Sequence, residues 1–257
     1  MTLATRPPEA VIRQFARAVC ADRLIGDELM RLTMADFPRP VLDRGSALSW
    51  LKSFVSNWQR YAGEPHDTQA PFSEEALKAA LPPPPNRDRL ILLLADVLGL
   101  TPSEAVEVVG PPNPSTDRLA AARVALTIPA ETDVLVVEDD PLTAADIGAT
   151  VARLGAESVR IAKSANEAIE AARAHRPDII LTDYDLDGDQ TGVDAVRAIR
   201  QTYDCPVIFV SAYPDDILIG QEGEPDFVIT KPYSVLALRA AIAHALDARH
   251  RQINHQA

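Results

Sequence analysis

The chain has 257 residues, of which 47% are hydrophobic and 24% charged, and this composition excludes a collagen-like or wholly disordered protein. Its net charge of −12 disfavours non-specific binding to nucleic acids, whose phosphates attract Lys and Arg. The first ten residues lack the apolar core of a secretory signal, and the longest apolar run is too short to cross a bilayer. Cys20 and Cys205 lie too far apart for a metal-binding motif, so we expect a reduced, cytoplasmic protein.

Charge and proline content divide the chain into two halves of different character. Residues 1–128 carry 14 basic and 15 acidic side chains, whereas residues 129–257 carry 11 and 22. Of the 21 prolines, 15 lie within residues 1–130. This asymmetry predicts two domains under different constraints. We place them at residues 1–127 and 130–248, with a fraying tail at 249–257.

The first half shows helical periodicity without the alternation of strands. Apolar residues at three- and four-residue steps predict helices around Val11–Val19 and Leu24–Leu32, and a third helix that Ser46 would cap. These helices make a three-helix part over residues 8–62. A stretch rich in proline and polar residues follows at 63–86 and predicts a linker.

A second helical part is predicted over residues 87–126. Thr101-Pro102-x-Glu104 is typical of a helix start with a capping box, and Gly110 is typical of the end of that helix. Short helices joined by a tight turn are candidates for a helix-turn-helix. The helical patterns span 87–98, 102–109 and 114–125.

The second half alternates short β-branched runs with five helical patterns, which is typical of a parallel sheet covered by helices. Helix starts are indicated at Asp140-Pro141, at Ser164-x-x-Glu167 and at Ser234. The predicted fold is therefore an all-α domain followed by an α/β domain with a doubly wound, five-stranded parallel sheet in the order 2-1-3-4-5. The predicted strands are Val134–Val137, Ser158–Ala162, Ile179–Thr182, Val207–Val210 and Phe227–Thr230.

Side chains that can carry chemistry follow four of these strands at their carboxyl ends, where open α/β sheets bind ligands. Glu138 and Asp139 end the first strand, and Asp183 follows the third. Ser211 follows the fourth strand and Lys231 the fifth. Because strands one and three are neighbours in this order, the three carboxylates should converge. Carboxylates this close repel one another unless a cation lies among them, and hard oxygen ligands suit Mg²⁺.

The same arrangement suits phosphoryl transfer. A metal ion can neutralise an incoming phosphoryl group while one carboxylate acts as nucleophile, as in aspartyl-phosphate enzymes. Lys231 would pair with the phosphoryl oxygens as a compact charge, and the Ser211 hydroxyl would hydrogen-bond to them. A single acidic residue at a strand end is more often a solvated loop or cap residue. It is the joint placement after four strands that predicts a phosphoacceptor site.

Four segments of the second half resemble the signature segments of response-regulator receiver domains: VLVVEDDP, IILTDYDLDG, VIFVSAYP and VITKPY. The resemblance implies that Asp183 accepts a phosphoryl group from a sensor histidine kinase or a phosphotransfer protein, and that the chain is a phosphoacceptor rather than an enzyme. Ser211 would be the switch hydroxyl and Lys231 the signalling lysine. The implied Mg²⁺ ligands are Glu138, Asp139, Asp183 and the backbone carbonyl of Asp185.

Two positions depart from the common receiver pattern, and one of them is Asp187, where receivers often carry proline. Many receivers carry an aromatic residue three positions before the lysine, where this chain has Val228. We therefore expect Tyr213 or the neighbouring loop, rather than an aromatic at that position, to transmit the change on phosphorylation.

The helical half resembles a small extracytoplasmic-function sigma factor, with residues 8–62 similar to region 2 and residues 87–126 similar to region 4. A sigma-like module ahead of a receiver is the arrangement of PhyR-type general stress response regulators. The resemblance implies that phosphorylation lets the sigma-like domain bind a small anti-sigma protein of the NepR type. The true sigma factor would thereby be released.

Charge in the second helical part favours this mimicry over promoter binding. Residues 87–128 hold four arginines and five acidic residues, whereas a DNA-binding helix should show a basic face. Two alternatives stay open: a DNA-binding transcriptional regulator or true sigma factor, and a phosphate sink with a vestigial sigma-like half. The sequence contains no glycine-rich phosphate loop and no metal-type histidine spacing. It therefore supports no other kind of enzyme.

Overall fold

The computed structural model describes residues 6–20, 23–35, 44–61, 87–213, 217–218 and 224–256. The chain divides into two compact units, one of residues 1–124 with 251–257 and one of residues 125–250. The linker that we predicted at 63–86 lies outside the described residues. Within the described part of the chain, no helix has both the length and the hydropathy that a membrane span requires.

The three-helix part of the first unit is helical as predicted, and its helices pack against one another. Helix α3 begins at Arg44, so Ser46 lies in its first turn and the prediction that it caps this helix was wrong. A serine is compatible with either position, which is why sequence signals define helix ends only to within a residue or two. The helices are α1 (Pro8–Cys20), α2 (Arg23–Ala35) and α3 (Arg44–Tyr61).

Aromatic side chains form the core between these helices. The rings of Phe15 and Phe54 meet edge to face at 5.7 Å between centroids, and the Trp58 side chain is fully buried. Helices α1 and α2 approach closely at Gly26, where an added Cβ would lie 2.9 Å from the backbone nitrogen of Arg17. The apolar stripes read from the sequence are largely the buried faces of α1 and α3, whereas in α2 Leu29 is buried but 80% of Leu24 is exposed.

The second helical part comprises α4 (Arg87–Leu92), which continues as a π-helical turn (Leu93–Val97), then α5 (Pro102–Val109) and α6 (Thr116–Ala125). Both hydrogen bonds of the predicted capping box at Thr101 and Glu104 are present, and Gly110 ends α5 with φ +84°. Helix α3 packs against α5, where the Lys52 ammonium lies 2.5 Å from a Glu107 carboxylate oxygen. The two helical parts therefore belong to one compact unit.

The second unit contains a five-stranded parallel sheet in the order β2-β1-β3-β4-β5, which confirms the predicted topology. Strands β3 and β4 are buried along their whole length because helices cover both faces. Each observed strand matches its prediction to within one residue. The strands are β1 (Asp133–Val137), β2 (Ser158–Ala162), β3 (Ile179–Thr182), β4 (Val207–Ser211) and β5 (Phe227–Thr230).

Four described helices accompany the sheet, and most of the β4–β5 connection, where a fifth was predicted, lies outside the described residues. Asp140 caps α7 by accepting a hydrogen bond from the Thr143 backbone nitrogen at 2.7 Å, and Ser234 caps α10 by accepting from Ala237 at 3.0 Å. The helices are α7 (Pro141–Arg153), α8 (Ala165–His175), α9 (Gly192–Arg200) and α10 (Val235–Gln256).

Two ends of the helices that accompany the sheet differ from their predictions. Ser164 caps α8, but the Glu167 side chain accepts a hydrogen bond from the Lys163 backbone at 2.8 Å, so the predicted capping box is only half formed. Helix α10 continues to Gln256, so residues 249–256, which we expected to be a fraying tail, are helical. No Gly or Pro interrupts this stretch, and its sequence therefore contains no signal that ends a helix.

Candidate functional site

Three acidic side chains meet at the carboxyl edge of the sheet, as the sequence predicted. Glu138, Asp139 and Asp183 each offer a carboxylate oxygen within 4.8 Å of those of the other two. The sheet ladder fixes their positions, because the Asp183 backbone nitrogen donates to Val137 at 2.9 Å and that of Glu138 donates to Ala162 at 3.0 Å. Neighbouring parallel strands thus deliver the three carboxylates to one place, which we call the acid cluster.

Lys231 reaches into the acid cluster from the end of β5. Its ammonium donates to a Glu138 oxygen at 2.8 Å and to an Asp183 oxygen at 2.5 Å. The backbone nitrogen of Lys231 donates to the Ser211 carbonyl at 2.9 Å, which continues the ladder between β4 and β5. One ammonium therefore bridges carboxylates that follow two different strands.

The acid cluster keeps an excess of negative charge even with this lysine. Burial raises the pKa of Glu138, and its hydrogen bond to Lys231 only partly opposes that effect. Burial disfavours the charged form of Lys231, but its hydrogen bonds to Asp183 and Glu138 prevail and raise its pKa. Three carboxylates against one ammonium leave room for a further cation, which would relieve the repulsion between the acids.

The remaining predicted residues lie around the cluster. The Ser211 side chain is buried at the end of β4, and its hydroxyl oxygen accepts a hydrogen bond from the Tyr213 backbone at 3.1 Å. The side chain of Asp185 is exposed in the loop that follows β3. Val228 is fully buried within the sheet, whereas 62% of Tyr213 is exposed.

The backbone around Asp183 has close neighbours that the sequence did not indicate. The Thr182 hydroxyl donates to the Asp183 carbonyl at 2.9 Å, and the Tyr184 backbone nitrogen donates to an Asp183 carboxylate oxygen at 2.6 Å. Gly192, the first residue of α9, donates its backbone nitrogen to the Tyr184 carbonyl at 2.9 Å. A Cβ on Gly192 would overlap the Asp183 carbonyl oxygen. The loop after β3 can therefore take this position only because residue 192 is a glycine, which has no Cβ.

A second contact that the sequence analysis missed lies beside Lys231. The Tyr233 hydroxyl donates to an Asp146 carboxylate oxygen on α7 at 2.9 Å. Burial, together with the hydrogen bond to Asp146, raises the pKa of Tyr233, so the phenol is protonated at neutral pH. The available sequence signal was only that Tyr233 stands two residues after Lys231, because nothing in the sequence pairs it with Asp146.

In the first unit, arginines of the helix-turn-helix candidate are engaged within the protein. Arg118 on α6 donates to Asp88 at 2.7 Å. Arg123 on the same helix makes a two-pronged bond to Asp96, at 2.8 and 2.7 Å. Arg87 donates to backbone carbonyls at 3.1 Å. The bonds of Arg118 and Arg123 hold α6 against α4 and the turn that follows it, and those of Arg87 hold α4 against the end of α5.

Comparison with known proteins shows similarity over almost the whole chain. Residues 134–243 match the response regulator receiver domain. The chain is 28% identical over 244 residues to the phyllosphere-induced regulator PhyR of Methylorubrum extorquens, covering 91% of this chain and 90% of that protein. The solved response regulator PhyR from Brucella abortus is 28% identical, with a TM-score of 0.74 and 100% of both chains covered. A mutant of the anti-anti-sigma factor PhyR from Bartonella quintana is 30% identical, with a TM-score of 0.72 and coverage of 97% and 99%.

Proposed function

Because the chain belongs to the PhyR family of response regulators, with its receiver domain at residues 134–243, we propose that it is a phosphorylation-dependent anti-anti-sigma factor. Asp183 accepts a phosphoryl group, and the first unit then binds a small anti-sigma protein of the NepR type. This binding releases a stress sigma factor. The observation that carries the proposal is the placement of Lys231 across Glu138 and Asp183 within the acid cluster.

Phosphorylation is a nucleophilic displacement at phosphorus. A carboxylate oxygen of Asp183 attacks the phosphohistidine of the kinase or phosphotransfer protein, a P–O bond forms and the P–N bond breaks, and the imidazole leaves with the bonding electrons and takes up a proton. Lys231 then exchanges its bond to the Asp183 carboxylate for one to a phosphoryl oxygen. The Ser211 hydroxyl, which accepts a hydrogen bond from the Tyr213 backbone nitrogen, moves to donate a hydrogen bond to the same phosphoryl group.

The acid cluster fits a divalent cation. Its donors are hard carboxylate oxygens, and the burial that raises the pKa of Glu138 makes that carboxylate costly to ionise without a nearby positive charge. When bound, Mg²⁺ would neutralise charge on the transferred phosphoryl group. The ligands that we propose for Mg²⁺ are Glu138, Asp139, Asp183 and the backbone carbonyl of Asp185.

Two observations support a protein partner rather than a promoter for the first unit. Arg118 and Arg123, the cations of helix α6, are bound to Asp88 and Asp96, so their use on phosphates would leave those aspartates unpaired. The relative from Bartonella quintana is named an anti-anti-sigma factor.

We place the control step in the receiver. In the unphosphorylated protein the sigma-like unit is withheld from its partner, and phosphorylation of Asp183 releases it as Ser211 and Lys231 move toward the phosphoryl group. A phosphoryl group can do this only if it stabilises the released arrangement more than the withheld one.

Size-exclusion chromatography with a candidate anti-sigma protein tests this function. The two proteins should co-elute when a small phosphodonor and Mg²⁺ are present, and should elute separately when either is left out. Co-elution without the phosphodonor would contradict control by phosphorylation. Separate elution under every condition, although the receiver takes up phosphate, would favour the phosphate sink.

Binding to promoter DNA distinguishes mimicry from transcription. We expect weak binding without sequence preference and a shallow salt dependence, because each phosphate contact contributes a slope of about −0.9 in log K against log salt and the arginines of α6 are engaged. Fluorescence anisotropy across a salt series measures both quantities. Tight binding to one promoter, lost in Arg118→Ala, would instead support a DNA-binding regulator.

A further inference from the structure

We propose that Tyr233 is a positioning residue that, through its hydrogen bond to Asp146, holds Lys231 in reach of the phosphoryl group on Asp183. This inference rests on the proposed phosphoacceptor role of Asp183 and assigns a control point to the same site. It concerns a contact between helix α7 and the connection from β5 to α10, and it leaves the acid cluster itself untouched.

The contact joins the helix that follows Glu138 and Asp139 to the segment that carries Lys231. Glu138 and Asp139 lie directly ahead of α7, the helix on which Asp146 is located. Lys231 and Tyr233 lie on the connection from β5 to α10. The bond of 2.9 Å between the Tyr233 hydroxyl and Asp146 therefore spans the two sides from which the acids and the ammonium approach each other.

The segment between Lys231 and α10 is so short that holding Tyr233 in place also restricts the backbone of Lys231. The backbone nitrogen of Lys231 is bonded to Ser211 in the sheet, and α10 begins at Val235. Between Lys231 and Tyr233 stands only Pro232, whose ring fixes its φ angle and limits the ways the chain can move there. A contact that holds Tyr233 thus also restricts the backbone from which the lysine side chain extends.

The hydrogen bond between Tyr233 and Asp146 has the geometry of a stable contact. The phenol donates to a carboxyl oxygen of Asp146 at 2.9 Å, a distance typical of a well-formed O–H···O hydrogen bond. Tyr233 is half-buried and Asp146 is exposed, so solvent weakens the bond without removing it. Misplacing a group that acts in phosphoryl transfer costs rate even when the fold is intact.

Phosphorylation kinetics with a small phosphodonor and saturating Mg²⁺ test the inference. Tyr233→Phe keeps the ring and removes only the hydroxyl, and we expect the maximal rate to fall about threefold to tenfold. The half-saturating phosphodonor concentration and the Mg²⁺ affinity, measured by calorimetry, should stay unchanged, because the variant alters neither the acids nor the entry of the donor. Global destabilisation alone would not produce this separation.

Two further variants make the test specific. Asp146→Ala should reduce the maximal rate to a similar extent, and the double variant with Tyr233→Phe should be no slower than either single one, as expected for partners in one contact. Tyr203→Phe is the matched control, since its hydroxyl donates to the Pro177 carbonyl at 3.4 Å, away from the acid cluster, and it should keep the original rate.

The outcomes separate this inference from the function on which it rests. If the unaltered protein takes up phosphate and Tyr233→Phe does so at the same maximal rate, the positioning role is wrong and the phosphoacceptor site stands. Additive losses in the double variant would also overturn the positioning role. If the unaltered protein takes up no phosphate, the proposed function fails and the inference falls with it.

Discussion

Asp183→Asn should abolish phosphoryl uptake by the protein and, as a consequence, its binding to the anti-sigma protein. The substitution keeps the shape of the side chain but replaces the nucleophilic carboxylate with an amide, which does not attack phosphorus. Lys231 keeps its second partner, since its bond to Glu138 at 2.8 Å does not involve the altered group. Intact-protein mass spectrometry after incubation with a phosphodonor measures uptake, and size exclusion measures binding.

Asp187→Asn is the matched control for this prediction. Asp187 is an exposed acid in the loop after β3, so the same chemical change there should leave both uptake and binding intact. Phosphate on the Asp183→Asn variant would assign the phosphoacceptor to another acid. Strong binding to the anti-sigma protein by that variant, without phosphate, would refute control by phosphorylation.

The sheet could be predicted from the sequence because its signals are local. Strands buried on both faces appear as continuous apolar runs, and an N-cap such as Asp140 indicates where the next helix starts. The errors lie where the local signal is ambiguous or missing. Ser46 suits the first turn as well as the cap position, and nothing between Leu246 and Gln256 indicates that α10 should stop.

The acid cluster could also be predicted, because strand order and ladder register fix where the first residues after a strand must lie. Glu138 and Asp183 meet for this reason, and Lys231 joins them from the end of β5. The contact of Tyr233 with Asp146 depends instead on how a helix packs beside a loop far away in the sequence. No spacing or composition encodes such a distance, so only the folded chain reveals it.

The charge argument for the first unit was likewise incomplete at the sequence level. Counting residues gave a slightly acidic helix-turn-helix candidate, which disfavours DNA without excluding it. The structure adds that Arg123 is bound through two bonds to Asp96, whose side chain is only 7% exposed. Removing this arginine would leave a nearly buried carboxylate without its main partner, so the cation has a structural use that a count does not show.

Gly192→Ala should destabilise the receiver and slow phosphoryl uptake at the same time. The added Cβ would overlap the Asp183 carbonyl oxygen and lie 2.8 Å from the Thr182 hydroxyl. Both neighbours belong to the end of β3, which the sheet ladder holds in place, so the strain cannot be relieved by a flexible side chain. We expect the free energy of unfolding to fall by about 1–3 kcal/mol, as measured by chemical denaturation.

The same overlap pushes on the backbone of Asp183, and a displaced carboxylate should react more slowly with a small phosphodonor even at temperatures where the variant is fully folded. Gly148→Ala is the control. Gly148 lies within helix α7, and an added Cβ would meet the side chains of Ile161 and Val159 on β2 at 3.6 Å, an ordinary van der Waals distance. An alanine inside a helix should leave the rate unchanged and add up to about 1 kcal/mol of stability. If Gly192→Ala had the same free energy of unfolding and the same rate of phosphoryl uptake as the original protein, Gly192 would not control the position of the phosphoacceptor.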